Sequence, residues 1–66
     1  MTLTVNGKSI PTPGVLTVGA LVAHLGVRRE GIAVAVNDAV VPRAQLDDFP
    51  VHDGDTVEII VAVAGG

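Results

Sequence analysis

Asn6-Gly7, set between two short runs of alternating apolar and polar residues, constrains the fold more than any other dipeptide in the chain. Both residues tolerate the positive φ that a two-residue type I′ turn demands, and such turns join antiparallel strands. Ahead of the turn, Met1, Leu3 and Val5 alternate with Thr2 and Thr4, the pattern of a half-buried strand. A two-residue turn pairs Val5 with Lys8 and Leu3 with Ile10, which puts Leu3 and Ile10 on one face. Pro11 and Pro13 end the second arm, and Gly14 lets the chain turn.

Downstream the period changes. Thr17 is placed to cap a helix in which Val18, Leu21, Val22 and Leu25 recur on one face, and Gly26 stands where a left-handed cap would stop it. Gly19 weakens the first turn by up to ~1 kcal/mol, so tertiary packing must hold this helix. Ile32, Val34 and Val36 alternate with alanines as a third strand, and Asn37-Asp38 turns the chain into a short return strand through Val40 and Val41 that Pro42 stops. Residues 43–49 suit a single helical turn, Asp53-Gly54 another tight turn, and 56–63 a last strand. The order ββ, helix, ββ predicts an α+β domain of the β-grasp (ubiquitin-like) type. One main helix would pack on one face of a mixed four- to five-stranded sheet.

A chain of 66 residues is expected to be one domain, 1–66, with a flexible tail at 64–66. Such a domain buries only about 60% of its unfolded surface. Its core is built from small aliphatics with Phe49 as the only aromatic, which leaves little room for a substrate pocket and disfavours an independent enzyme. Net charge is −3, and the fixed cations are Lys8, Arg28, Arg29 and Arg43. No basic patch interleaved with aromatics exists, so nucleic acid is not an expected partner. Mean hydropathy is +0.58, yet the longest apolar run, 59–64, has the length of a strand, so no membrane association is expected. No signal-peptide pattern is visible at the N-terminus, and the absence of cysteine fits a cytoplasmic location.

Ala64-Gly65-Gly66 has the most chemical content. Two glycines after a β-branched strand add no packing and carry the largest entropic cost of ordering. They form a thread without Cβ atoms, able to enter a narrow channel and present the carboxylate of Gly66 to another protein's reactive centre. An α-carboxyl with a reference pKa near 3.3–3.7 is ionised at neutral pH and can attack the α-phosphorus of ATP. The resulting acyl-adenylate is open to a sulfur or nitrogen nucleophile.

Val41-Pro42-Arg43, Asp53-Gly54-Asp55 and the closing Ala-Val-Ala-Gly-Gly at 62–66 occur in this order and spacing in a known family. Through them the whole chain resembles the thiamine-biosynthesis sulfur carriers (ThiS). The resemblance implies that Gly66 is adenylated by an E1-like, ATP-using enzyme and converted to a thiocarboxylate. A sulfur donor (a cysteine desulfurase or related enzyme, through a cysteine persulfide) would supply the sulfur, and thiazole synthase would receive it. On this reading Ala64 and Gly65 thread the tail, the carrier binds no cofactor of its own, ATP is used by the activating enzyme, and the free chain is a monomer. Where the family often has an aromatic after Arg43, this chain has Leu46. The small subunit of molybdopterin synthase and other β-grasp sulfur carriers share these features. A non-covalent β-grasp binding module with inert terminal glycines is an alternative of a different class.

In the last strand, Val57, Ile59, Val61 and Val63 alternate, while Ile60 and Ala62 make the opposite face apolar as well. One face is expected to meet the helix, and the Ile60 and Ala62 side to dock on the activating enzyme and the synthase. Arg43, with a planar fork suited to carboxylates, is a further candidate for partner contact. Asp53 and Asp55 read as turn residues rather than a cation site, and Asp47-Asp48 as a solvated helical turn. His24, His52 and Ser9 suggest no metal cluster or catalytic triad.

Overall fold

A computed structural model describes residues 1–14 and 16–61 of the chain. β1 (Thr2–Val5) and β2 (Lys8–Pro11) form the expected hairpin, with Leu3 opposite Ile10 and Val5 opposite Lys8. Asn6 at φ 50° and Gly7 at φ 81° take the two left-handed positions of the turn. β3 (Leu16–Thr17) runs straight into α1 (Val18–His24), whose cap is Thr17: its Oγ1 accepts the Ala20 N–H at 3.2 Å. Gly26, at φ 72°, turns the chain off the helix end. β4 (Ile32–Val36) and β5 (Ala39–Val41) are joined through Asn37 and Asp38, at φ 50° and 69°. A 3-10 turn (Arg43–Gln45), β6 (Pro50–Val51) and β7 (Thr56–Val61) complete the described chain.

β1, β2, β4, β5 and β7 make one five-stranded mixed sheet in the order β2-β1-β7-β4-β5. β7 lies at its centre, parallel to β1 and antiparallel to β4. β2 and β4 consequently run the same way at separated positions, so the link between them must cross the sheet. α1 makes that crossing and lays Val18, Leu21 and Val22 against the face where Leu3, Val34 and Val57 point inward, all of them at most 2% exposed.

The pairing of β3 with β6 in a separate two-stranded sheet has no local signal, because Leu16 faces Val51 across more than half the chain. Its effect is to bring the segment before β6 against the start of α1. The Val18 N–H donates to the Phe49 carbonyl at 2.8 Å and the Gly19 N–H to the Leu46 carbonyl at 2.7 Å. With Ala20 bound to Thr17, the first three N–H groups of the helix are satisfied within the fold.

Gly19 belongs to the same junction. The Arg29 guanidinium reaches the Asp47 carboxylate through Nη1 at 2.9 Å and Nη2 at 2.5 Å, and this pair lies directly over Gly19. Asp47 is exposed in a turn, in agreement with its reading as part of a solvated helical turn, and is paired with Arg29 as well. A Cβ at position 19 would overlap Arg29 Nη2 and Asp47 Oδ1, the free ends of two exposed side chains that can swing away. Gly19→Ala trades this exposed, solvent-screened pair for a helix propensity gain of ~1 kcal/mol. The expected result is a small change in melting temperature. NMR titration would show the Asp47 carboxyl, now held below its ordinary pKa by the Arg29 hydrogen bonds, return toward the usual range. An unmoved Asp47 titration would contradict the account.

β7 departs from expectation at one point. Val61 shares the parity of the buried Val57 and Ile59 but is 60% exposed. Its cross-strand partner is Ile32, itself only half-buried, so the strand runs past the cover of the helix there. The expected continuation through Val63 lies outside the described residues. No helix among the described residues is long and apolar enough to cross a membrane.

Candidate functional site

The central strand is the last described element before residues 62–66 in the sequence, so its anchoring fixes the point from which they follow. Two asparagines tie β7 from opposite sides. The Asn6 N–H donates to the Val57 carbonyl at 2.9 Å, its Oδ1 accepts the Ile59 N–H at 2.8 Å and its Nδ2 donates to the Ile59 carbonyl at 3.2 Å. At the other end, the Asn37 N–H donates to the Thr56 carbonyl at 2.8 Å while its Oδ1 accepts the Thr56 N–H at 3.0 Å. Each residue makes a left-handed turn position and a side-chain rung of the ladder at once.

Asp53-Gly54-Asp55 docks the start of β7 in the same way. Asp53 Oδ1 accepts the Thr2 N–H at 2.7 Å, and the Gly54 N–H, at φ 85°, donates to the Thr2 carbonyl at 2.8 Å. Asp55 Oδ2 accepts the His52 N–H at 2.8 Å and its Oδ1 accepts from Asn37 Nδ2 at 3.1 Å. The motif is a structural brace, in agreement with its reading as a turn. The His52 hydrogen bond, helped by Asn37 and by the nearby His52 ring, holds the Asp55 carboxyl below its ordinary pKa although burial opposes this. A carboxyl lowered in the fold contributes stability that is complete above its unfolded pKa of about 3.9 and is lost as pH falls through the lower folded value. Urea unfolding followed against pH should therefore show the wild type weakening below about pH 4, with a flatter acid limb in Asp55→Asn. Parallel limbs would assign the acid sensitivity to another carboxyl.

The sheet face away from α1 carries a small apolar patch. Ile60 stands opposite Ala33, and Val40 opposite Ala35, all on the outer side, with Glu58 across from Ala35. Ile60 is 63% and Val40 75% exposed. The expected exposure of Ile60 is thus observed. Val40, read in the sequence only as part of a return strand, joins it because the β4–β5 register aligns Val40 with Ala35. Arg43 lies elsewhere, with Arg29, Glu30 and Leu46 around a shallow open depression of about 150 Å³ that Ile60 does not line. Leu46 is buried in the core. Gly66, Gly65, Ala64 and Ala62 lie outside the described residues.

Sheet order and a single crossing helix define a ubiquitin-like β-grasp domain. The sequence matches the pattern of the ThiS family over residues 3–66. It is 33% identical to the sulfur carrier protein ThiS of Escherichia coli over the full length of both chains, 66 residues. It is 36% identical over 66 residues to a thiazole synthase of Paramagnetospirillum magneticum, of whose length it spans only 20%. The crystal structure of the thiamine biosynthesis protein ThiS from Geobacter metallireducens superposes with a TM-score of 0.88 at 38% identity, covering 100% of both chains. The chain belongs to the ThiS family.

Proposed function

We propose that this protein is a sulfur carrier of thiamine biosynthesis whose reacting group is the Gly66 carboxylate. The observation that carries the reading is that the family match extends to residue 66, so the terminal glycines belong to the shared pattern. The carboxylate attacks the α-phosphorus of ATP on an E1-like enzyme and pyrophosphate leaves. The outer sulfur of a cysteine persulfide then displaces AMP to give an acyl disulfide, and a second thiol of the donor system attacks the cysteine sulfur of that bond, which releases the thiocarboxylate and leaves a disulfide behind. Thiazole synthase is the acceptor, and the relative of that name supports the pairing because a domain like this one is part of its chain. ATP belongs to the activating enzyme, which leaves the carrier without catalytic residues of its own. The setting is the cytoplasm, and the free carrier is a monomer.

The test is an intact-mass measurement after incubation with ATP, the activating enzyme and the sulfur donor. A gain equal to replacing one oxygen by sulfur, located at Gly66, supports the carrier. An unchanged mass with an activating enzyme active on another carrier overturns it.

On this reading Ala64 and Gly65 serve as the thread, Ile60 and Ala62 as docking residues, and Arg43 as an outlying polar contact. Ile60→Asp places a charge in the outer apolar patch while leaving the core face of β7 untouched. It should weaken binding to the activating enzyme about tenfold or more and leave the melting temperature nearly unchanged. Equal affinity by titration calorimetry would remove Ile60 from the interface.

A further inference from the structure

The end of β7 stands on a narrower piece of sheet than the rest. β1 pairs with β7 only at Thr56 and Val57, and β5 pairs with β4 only from Val34 to Val36. Ile60 and Val61 therefore face Ala33 and Ile32 in a two-strand ribbon, with no third strand on either side among the described residues. Ribbons of this kind are marginal in water and twist more freely than wide sheets.

The last lateral tie before that ribbon is a side chain. β1 ends at Val5 and the chain turns away at Asn6, yet the Asn6 carboxamide reaches both polar backbone atoms of Ile59. It stands in for a peptide unit of a strand that has already ended. Ile59 is followed at once by Ile60 of the docking patch and then by the residues leading to Gly66.

We infer that Asn6 is a positioning residue for the tail: by gripping Ile59, it sets the direction of Ile60 and Val61, to which residues 62–66 are joined. The inference rests on the reading of Gly66 as the reacting group. With the grip lost, the ribbon samples more directions, and the carboxylate occupies its reactive position in a smaller fraction of docked complexes. Gly66 itself keeps its chemistry.

The molecule holds its own control. Asn37 has the same φ of 50° and grips Thr56 through its backbone N–H and Oδ1, with its Nδ2 donating to Asp55, but at the end of β7 remote from the tail. Asn6→Gly and Asn37→Gly each keep the turn and remove one grip, so both should lose stability. Only Asn6→Gly should lower kcat for adenylation of saturating carrier, by about tenfold, with KM changed less than about threefold. Asn37→Gly should stay within about twofold of the wild type. Asn6→Asp, which keeps the acceptor for the Ile59 N–H and tolerates the turn, should recover part of the loss. Measured against the wild type, it decides the question should the glycine variant fail to fold.

Hydrogen exchange of the free proteins gives a reading independent of any enzyme. The Ile59 and Ile60 amides should exchange faster in Asn6→Gly and not in Asn37→Gly. Equal kcat losses in the two variants, an unchanged kcat in the Asn6 variants, or unchanged exchange at Ile59 overturns the inference. A wild-type chain that is not adenylated at all would instead sink the carrier reading, and exchange alone would then judge the grip.

Discussion

Deletion of Gly66, or its extension by a further residue, should abolish thiocarboxylate formation and leave the fold intact. The two changes fail for different reasons. Extension turns the Gly66 carboxylate into an uncharged peptide carbonyl and leaves the terminal carboxylate one residue too far along the chain. Deletion keeps a carboxylate but withdraws it by one residue, about 3.3–3.6 Å of chain. A misplacement of ~1 Å at a reacting centre can cost a factor of ~10². The loss on deletion should therefore exceed ~10²-fold in the rate of ATP–pyrophosphate exchange. Neither change touches the core, whose described members lie between Leu3 and Ile59, so circular dichroism and the melting temperature should match the parent. A shortened chain converted at the parental rate would separate the function from Gly66.

Leu21→Ala should unfold much of the population. Leu21 is 0% exposed at the centre of the face that α1 lays on the sheet. A Leu→Ala change at such a site costs about 2.7–5 kcal/mol, because contacts are lost and a cavity is left. At roughly 0.05–0.15 kcal/mol per residue, a domain of this size holds only ~3–10 kcal/mol in all. Urea unfolding should show the midpoint collapse, and helical circular dichroism should fall with it. The thin margin follows from size: the helix is short, contains Gly19, and has little stability apart from the sheet it covers. A loss below about 1 kcal/mol would mean that the helix does not hold the core together.

The local features of this chain were legible in its sequence because each rests on short-range preferences. Asn6-Gly7 and Asn37-Asp38 demand positive φ, Thr17 and Gly26 bracket one helical stripe, and the alternation in β1, β4 and β7 marks their buried faces. From these followed the β-grasp order, the hairpin register and the exposure of Ile60. Tertiary structure alone decided what depends on where strands stop and which distant segments meet. Asn6 and Ile59 are 53 positions apart, and nothing local marks their contact. The pairing of Leu16 with Val51, the Arg29–Asp47 pair over Gly19, and the joining of Val40 to the Ile60 patch have the same origin. Val61 shows the limit most simply: alternation assigns a side chain to a face of the sheet, but only the reach of the helix across that face decides whether it is covered.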